Sequence, residues 1–535
     1  MQYSSAGETP GTVREVTIRL LRDLGLSTIF GNPGSTELPF FRDWPADFRY
    51  ILGLQESSVV AMADGYAQAR RSAAFVNLHS AVGVGHALGS IFTAYRNQTP
   101  LVITAGQQAR AMLLDEPYLW ATQATEFPRP YVKWSCEPAC AQDVPAALAR
   151  AYYLSMQKPC GPTFVSIPVD DWEAPAEPLA ARRVSFEFAP DPLVLRQIAA
   201  ALNHSQRPAL IVGPSVDRDG AWHEAVELAE RTRAAVWVSP MSGRSSFPED
   251  HPLFAGFLPP VRRLLATKLA DYDSVLVLGA PIFTYHVQSE GPIIPPGTQL
   301  FQIIDDPEAA AWAPVGTSLL ATLRLGLASL LELIAPSTRH APPPLVRPPL
   351  PDQLDPIPPA FVLHTIAQVM PDNAIIVEEA PSHRNDLHDY LPIRHSSGFF
   401  TGASGGLGYG LPAAVGIALA DPTRRVIGLL GDGSSMYSIQ GLWTAVQLRL
   451  PITFVILNNQ AYGALKSFSR LFNIAEFTGV DLPGIDICTI ARGYGCEARR
   501  IDKSDELAAA LVQSFASSGP VVLDVMVDRA EAVLY

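Results

Sequence analysis

Apolar residues recur at helical spacing in some stretches and run unbroken through short segments in others. Val13, Val16, Leu20, Leu21 and Leu24 share one helical face; Thr12 and Glu15 have capping-box spacing ahead of it, and Gly25 sits where a C-cap belongs. Ser27–Phe30, Ala74–Leu78, Leu101–Ala105 and Thr163–Ile167 read as short buried strands with helical patterns between them. The alternation returns at Ala209–Val212, Ala235–Val238, Val275–Leu278 and Leu300–Ile304, and again beyond Phe361. Strands alternating with helices predict an α/β chain of three similar units, each a doubly wound parallel-sheet domain.

Two breaks separate the units. Residues 171–195 shift in composition and read as a linker, and Pro336 to Pro359 carries ten prolines in 24 positions, which forces an extended surface course. The expected division is 1–180, 190–335 and 361–535, with 336–360 as the proline-rich linker. Length agrees, because 535 residues exceed the ~250–300 at which single cores stop growing.

Composition narrows the classes. A net charge of −13 argues against a nucleic-acid partner, which wants clustered Lys and Arg. No stretch has the ~18 apolar residues of a membrane span, and the N-terminal MQYSSAGETPGTVREV lacks a signal-peptide core, so the cytoplasm is expected. Five cysteines imply no disulfide framework; Cys136 and Cys140 lack a second ligand pair and read as reduced thiols rather than a zinc site.

The candidate chemistry is concentrated in the third unit. Val426–Leu430 is a buried strand running into Gly431-Asp432-Gly433 and Ser434; Ile439, Leu442, Trp443 and Val446 mark a helix face, and Ile452–Leu457 is a second buried strand ending at Asn458-Asn459. Both polar clusters fall at the carboxyl ends of parallel strands, where ligands bind in open α/β sheets. Asp432 offers a carboxylate and Asn459 a carbonyl oxygen, hard ligands suited to Mg²⁺, and the glycines let backbone amides approach a diphosphate at a helix start. Gly-Asp-Gly alone is a common turn; the paired asparagine ending the next strand makes the pattern specific.

That pattern resembles the thiamine diphosphate signature of the pyruvate decarboxylase and acetolactate synthase superfamily. The resemblance implies thiamine diphosphate and Mg²⁺ as cofactors. Asp432, Asn459 and the Ala461 carbonyl would hold the metal, and Ser382, Gly433, Ser434 and Tyr437 the diphosphate. In Gly405-Gly406-Leu407-Gly408, Gly405 would receive the aminopyrimidine amine and Leu407 would prop the cofactor into a V. Glu56, after the apolar stretch Tyr50–Leu54 and before a helix expected over Ser57–Ala69, matches the glutamate that hydrogen-bonds the aminopyrimidine. A carboxyl in apolar surroundings can hold or share a proton, here favouring the imino tautomer that generates the thiazolium ylid. The resemblance also implies a homo-oligomer, a tetramer, whose sites combine halves from different subunits.

Within the superfamily the chain resembles the benzoylformate decarboxylases over nearly its whole length, in Asn32-Pro33-Gly34-Ser35-Thr36-Glu37, Asn77-Leu78-His79-Ser80, Tyr285-His286 and Tyr462-Gly463-Ala464-Leu465. This implies non-oxidative decarboxylation of a small-molecule aromatic 2-keto acid to the aldehyde and carbon dioxide. Ser35 would bind the substrate carboxylate, and His79 and His286 would move protons, for which histidine's pKa is suited. Ser35, Tyr118, Leu119, Thr401, Ala464, Leu465 and Phe468 would form the substrate pocket; His223 and His340 read as surface or packing residues. Three positions depart from the pattern. Thr401-Gly402 stands where a bulky aromatic is expected, which widens the pocket; Tyr118 replaces a leucine and His86 an asparagine. Two other classes stay open. A carboligase or lyase of the acetolactate synthase type differs only in the electrophile captured. A non-catalytic assembly subunit is opposed by the intact Glu56, Asp432 and Asn459.

Overall fold

The computed structural model describes residues 10–529 except Glu476; the first nine residues, part of the segment read as lacking a signal-peptide core, lie outside them. Three six-stranded sheets form, and every pairing within them is parallel. The expected strands form within two residues of their expected ends, and the helix Val13–Asp23 carries the capping box, with Gly25 at φ 74° beyond it.

The units are less alike than their rhythm implies. With strands counted in chain order inside each unit, the first and third sheets both run 2-1-3-4-6-5, whereas the middle one runs 3-2-1-4-5-6. Hydrophobic periodicity reports which residues are strands but not which strands are neighbours, so sequence pattern alone could not separate them. In the 2-1-3-4-6-5 sheets the order reverses between strands 1 and 3, which leaves a crevice beyond their carboxyl ends. Strands 1 and 3 are Thr28–Gly31 and Ala74–Leu78 in the first unit, and Ile375–Glu379 and Val426–Gly431 in the third.

The first break is shorter than 171–195. Pro175–Ala176 pairs antiparallel with Gly11–Thr12, and a helix begins at Pro192, leaving 177–190 irregular. The proline-rich stretch has no helix or strand until Pro359–Val369, as expected of backbone with so few N–H donors.

The first and third units meet through two helices, Glu56–Arg70 and Gly410–Ala420, whose facing residues are buried. The crossing is close because it is made by glycines: a Cβ at Gly416 would lie 1.9 Å from the Met62 carbonyl oxygen, and one at Gly65 2.3 Å from that of Ala413. A polar hub ties in the middle unit. Arg244 donates from Nε and Nη2 to Asp217 Oδ2 at 2.8 and 2.6 Å, and from Nη1 to Gln68 Oε1 at 2.8 Å. Gln68 in turn donates to Asp64 Oδ1 and to the Tyr409 hydroxyl. Asp64 is fully buried, and burial pushes its pKa up to about 6 despite hydrogen bonds from Thr99, Gln68 and Asn97. Among the described residues no helix is long and apolar enough to cross a membrane.

Candidate active site

Strands Val426–Gly431 and Ile452–Asn458 are in register with Gly431 beside Leu457, so the residues that follow them, Asp432 and Asn459, emerge side by side. They line a cavity of about 380 Å³ that also contains Ser382, Gly433, Ser434 and Tyr437. Asp432 is buried; burial pushes its carboxyl up to about 6, against hydrogen bonds from the Gly433 and Gln460 amides. Among the described residues no Lys, Arg or His forms an ion pair with it. An uncompensated buried carboxylate beside an amide oxygen is a fitting seat for a hard divalent cation. The glycine after it is required, since a Cβ on Gly433 would stand 2.5 Å from the Tyr462 ring. Asn459 Oδ1 accepts from the Ala461 amide at 3.1 Å, and Ser382 Oγ from that of Ala464 at 3.0 Å, so both side chains are held in place.

Gly405 and Leu407 line the same cavity. Their turn is anchored by Glu379, a fully buried carboxyl that accepts from the Gly408 amide and, at 2.6 Å, from that of Gly410. Burial pushes Glu379 up to about 8. His383 lines the same cavity with Nε2 unpartnered, and burial draws its pKa down to about 4, so it is a neutral imidazole at pH 7. His286, Ala464, Leu465 and Phe468 complete the lining, with the His286 ring edge-on to Phe468 at 5.1 Å between centroids.

The other predicted residues gather in the first unit, at the corresponding crevice. Glu56 begins the helix Glu56–Arg70, but its neighbour Gln55 is the cap, accepting from the Ser57 and Ser58 amides. Glu56 is thereby left to face the crevice. Its surroundings are polar rather than the apolar ones expected: Asn32 Nδ2 donates to Oε1 at 3.2 Å, and His86 Nδ1 lies 3.1 Å from Oε2. His79 follows strand Ala74–Leu78 and packs onto Gly34, where a Cβ would come within 2.2 Å of Nδ1. Its Nδ1 is 2.8 Å from Glu37 Oε2. Glu37 is itself buried and fixed by the Gly34 and Gly106 amides and the Thr36 hydroxyl. A proton on Nδ1 shared with that carboxylate leaves Nε2 as the working nitrogen. Ser35 is exposed at the start of a helical turn over Ser35–Phe41. Tyr118 is exposed as well, and the Leu119 carbonyl accepts from Ser80 Oγ at 2.7 Å, which ties it to the residue after His79.

One chain does not unite these groups. The cavity at Asp432 is lined by His286 and residues of the third unit, and Glu56, His79, Ser35, Tyr118 and Leu119 are not part of it. Thr401 is also absent from it, lying in an adjoining cavity. Sequence reasoning missed Glu37, Glu379 and His383. Glu37 lay inside a quoted motif, but only the fold shows that it touches His79.

Family comparison places the chain by class. Residues 11–125, 195–330 and 380–525 match the N-terminal TPP binding domain, the central domain and the C-terminal TPP binding domain of the thiamine pyrophosphate enzymes. The chain belongs to that family. Among its relatives is a benzoylformate decarboxylase of Pseudomonas aeruginosa, 45% identical over 97% of this chain and 99% of the relative. The crystal structure of benzoylformate decarboxylase from Polynucleobacter necessarius matches at TM-score 0.96 and 42% identity, covering 97% of this chain and 99% of that one. The 4-hydroxybenzoylformate decarboxylase of Rhodococcus jostii matches at TM-score 0.95 and 41% identity, covering 98% and 100%.

Proposed function

We propose that this protein is a thiamine diphosphate- and Mg²⁺-dependent decarboxylase of aromatic 2-keto acids, working in the cytoplasm as a homo-oligomer, a tetramer. Two crevices carry the reading. They sit at matching positions in sheets of the same strand order, one holding the diphosphate and metal residues and the other Glu56, His79 and Ser35. A centre assembled from the first unit of one subunit and the third of another uses both.

In that centre Asp432 Oδ, Asn459 Oδ1 and the Ala461 carbonyl would hold Mg²⁺, and Ser382, Gly433, Ser434 and Tyr437 would hold the diphosphate. Glu56 would hydrogen-bond the aminopyrimidine and hold or share a proton there. When bound, thiamine diphosphate supplies a carbon nucleophile for the ketone and an electron sink for the pair released with carbon dioxide. Ser35 binds the substrate carboxylate. His79, oriented by Glu37, and His286, packed on Phe468, move protons at the substrate oxygen and at the carbon that loses the carboxylate. Ala464, Leu465 and Phe468 offer apolar surface to the ring. Burial of apolar area is worth roughly 25 cal/mol per Å², so a phenyl group gains a few kcal/mol over a methyl.

The test is carbon dioxide release by the purified protein with thiamine diphosphate and Mg²⁺ over a panel of 2-keto acids. Benzoylformate and ring-substituted relatives outrun pyruvate on this reading. Clear preference for pyruvate or a branched aliphatic acid removes the aromatic assignment, and joining of two aldehydes without carbon dioxide release makes the protein a carboligase instead.

A further inference from the structure

Beside the cofactor cavity lies a second one, of about 420 Å³, between the middle and third units. The two share His286, Pro381, Gly405, Leu407, Ala464 and Phe468, so they are adjoining parts of one space. Trp237, Phe257 and Phe399 give the second part aromatic walls. Its polar lining includes Lys268, Asn385, His388 and Asp389, and an ion pair absorbed by none of the roles above. Glu378 and Thr401 are partners in adjacent parallel strands, and Arg384, at the head of the helix Arg384–Tyr390, reaches across to both. Arg384 donates from Nε and Nη2 to Glu378 Oε2 at 3.2 and 2.8 Å, and from Nη2 to Thr401 Oγ1 at 2.6 Å.

A guanidinium has five N–H donors, and these bonds use the one on Nε and both on Nη2. Among the described residues Nη1 meets no acceptor, which leaves two donors in a cavity wall. The positive charge, by contrast, is already met. Burial opposes ionisation of Glu378, but the Arg384 guanidinium and the Ala380 amide hold its carboxyl below the usual range. At this point of the wall the pair therefore offers hydrogen bonds without net charge, which favours a neutral acceptor over an anion. Access depends on residue 401: the small, buried threonine occupies the position where a bulky aromatic would fill the approach to Arg384.

We propose that this second cavity is a subsite for the far end of the substrate's aromatic ring, where Arg384 binds a neutral oxygen substituent, a hydroxyl or alkoxy group. The inference rests on the decarboxylase reading and deepens it by naming a specificity residue. Thr401 opens the subsite and aims the guanidinium; the aromatic walls hold the ring.

The test compares the holoenzyme on benzoylformate and its 4-methyl, 4-hydroxy and 4-methoxy derivatives. Methyl and hydroxyl are similar in size, but only the hydroxyl accepts a hydrogen bond, and the methoxy oxygen can only accept. The readout is the ratio of kcat/KM values within each protein, so any general loss cancels. Wild type favours the oxygenated rings over the 4-methyl ring by about tenfold, the worth of a hydrogen bond to a charged donor. Arg384→Gln brings that ratio to near one. Because this change strands the buried Glu378, Thr401→Phe is run beside it; it keeps both charges and turns preference from every 4-substituted acid toward the unsubstituted one. A wild-type ratio near one, or ratios unmoved in both variants, overturns the proposal. The corresponding 2-hydroxy acids, which lack a ketone, give the same order by calorimetric binding. If they keep the order while no keto acid is decarboxylated, the decarboxylase reading falls and the subsite stands. If decarboxylation proceeds without the preference, the subsite alone falls.

Discussion

Two carboxyl groups that touch no predicted ligand govern how the site residues are presented. Glu37 fixes His79 through Nδ1, so Glu37→Gln replaces a charge-assisted bond with a weaker one and loosens the hold on the imidazole's orientation. A lower kcat with KM little changed, recovered in part by Glu37→Asp, checks this; kcat and KM both unchanged in Glu37→Gln mean that Glu37 does not position His79. Glu379 anchors the turn that carries Leu407, and its pKa is pushed up to about 8 by burial. A carboxyl raised in the folded state contributes stability that is fully present below its ordinary value and is lost as pH rises through the folded one. Thermal unfolding of the cofactor-free protein therefore shows stability falling between about pH 5 and pH 8, and Glu379→Gln, which mimics the protonated acid, flattens that fall. His383 has the opposite sign. Drawn down to about 4, it contributes stability above its ordinary value that is lost as pH falls through about 4.

At the level of strands and helices much was legible, because the apolar runs are short, unbroken and bounded by turn residues. The Gly431-Asp432-Gly433 and Asn458-Asn459 pairs were visible because strand ends in parallel sheets are where ligands sit. Partnerships across the fold were not. Glu56 reads as preceding an apolar-patterned helix, yet its carboxylate meets Asn32 and His86, residues 24 and 30 positions away. Thr401 reads only as a small residue in place of a large one, and its contact with Arg384 depends on strand register. The helix pair Glu56–Arg70 and Gly410–Ala420 likewise shows no glycine signature in sequence, although both glycines lie where backbones touch. Gly416→Val forces them apart. A loss of about 1–3 kcal/mol or more of stability is expected, with weakened thiamine diphosphate binding, because this helix follows the Leu407 turn. Unfolding midpoints and cofactor titration measure both; unchanged values in each contradict the close crossing.

The Arg244 hub joins side chains of all three units, which no composition or spacing argument could reveal, since its members come from positions 64 to 409. Asp217 is buried and receives bonds from Arg244, Ser396 and the Ser397 amide. Arg244→Met removes its main counter-charge, so a destabilisation of about 3–5 kcal/mol is expected, read as a lower unfolding midpoint. On the proposed function, one chain carries two complementary half-sites in separate crevices. Complementation between chains tests this directly. Glu56→Gln disables the first-unit half and Asp432→Ala the third-unit half, and each variant alone releases little carbon dioxide from benzoylformate. Dissociated together and reassembled in equal amounts, they form hybrid pairs with one intact centre. Carbon dioxide release then recovers toward about a quarter of the wild-type rate, as random pairing requires. Activity that stays at the level of the separate variants, in hybrids shown to have formed, contradicts a centre shared between subunits.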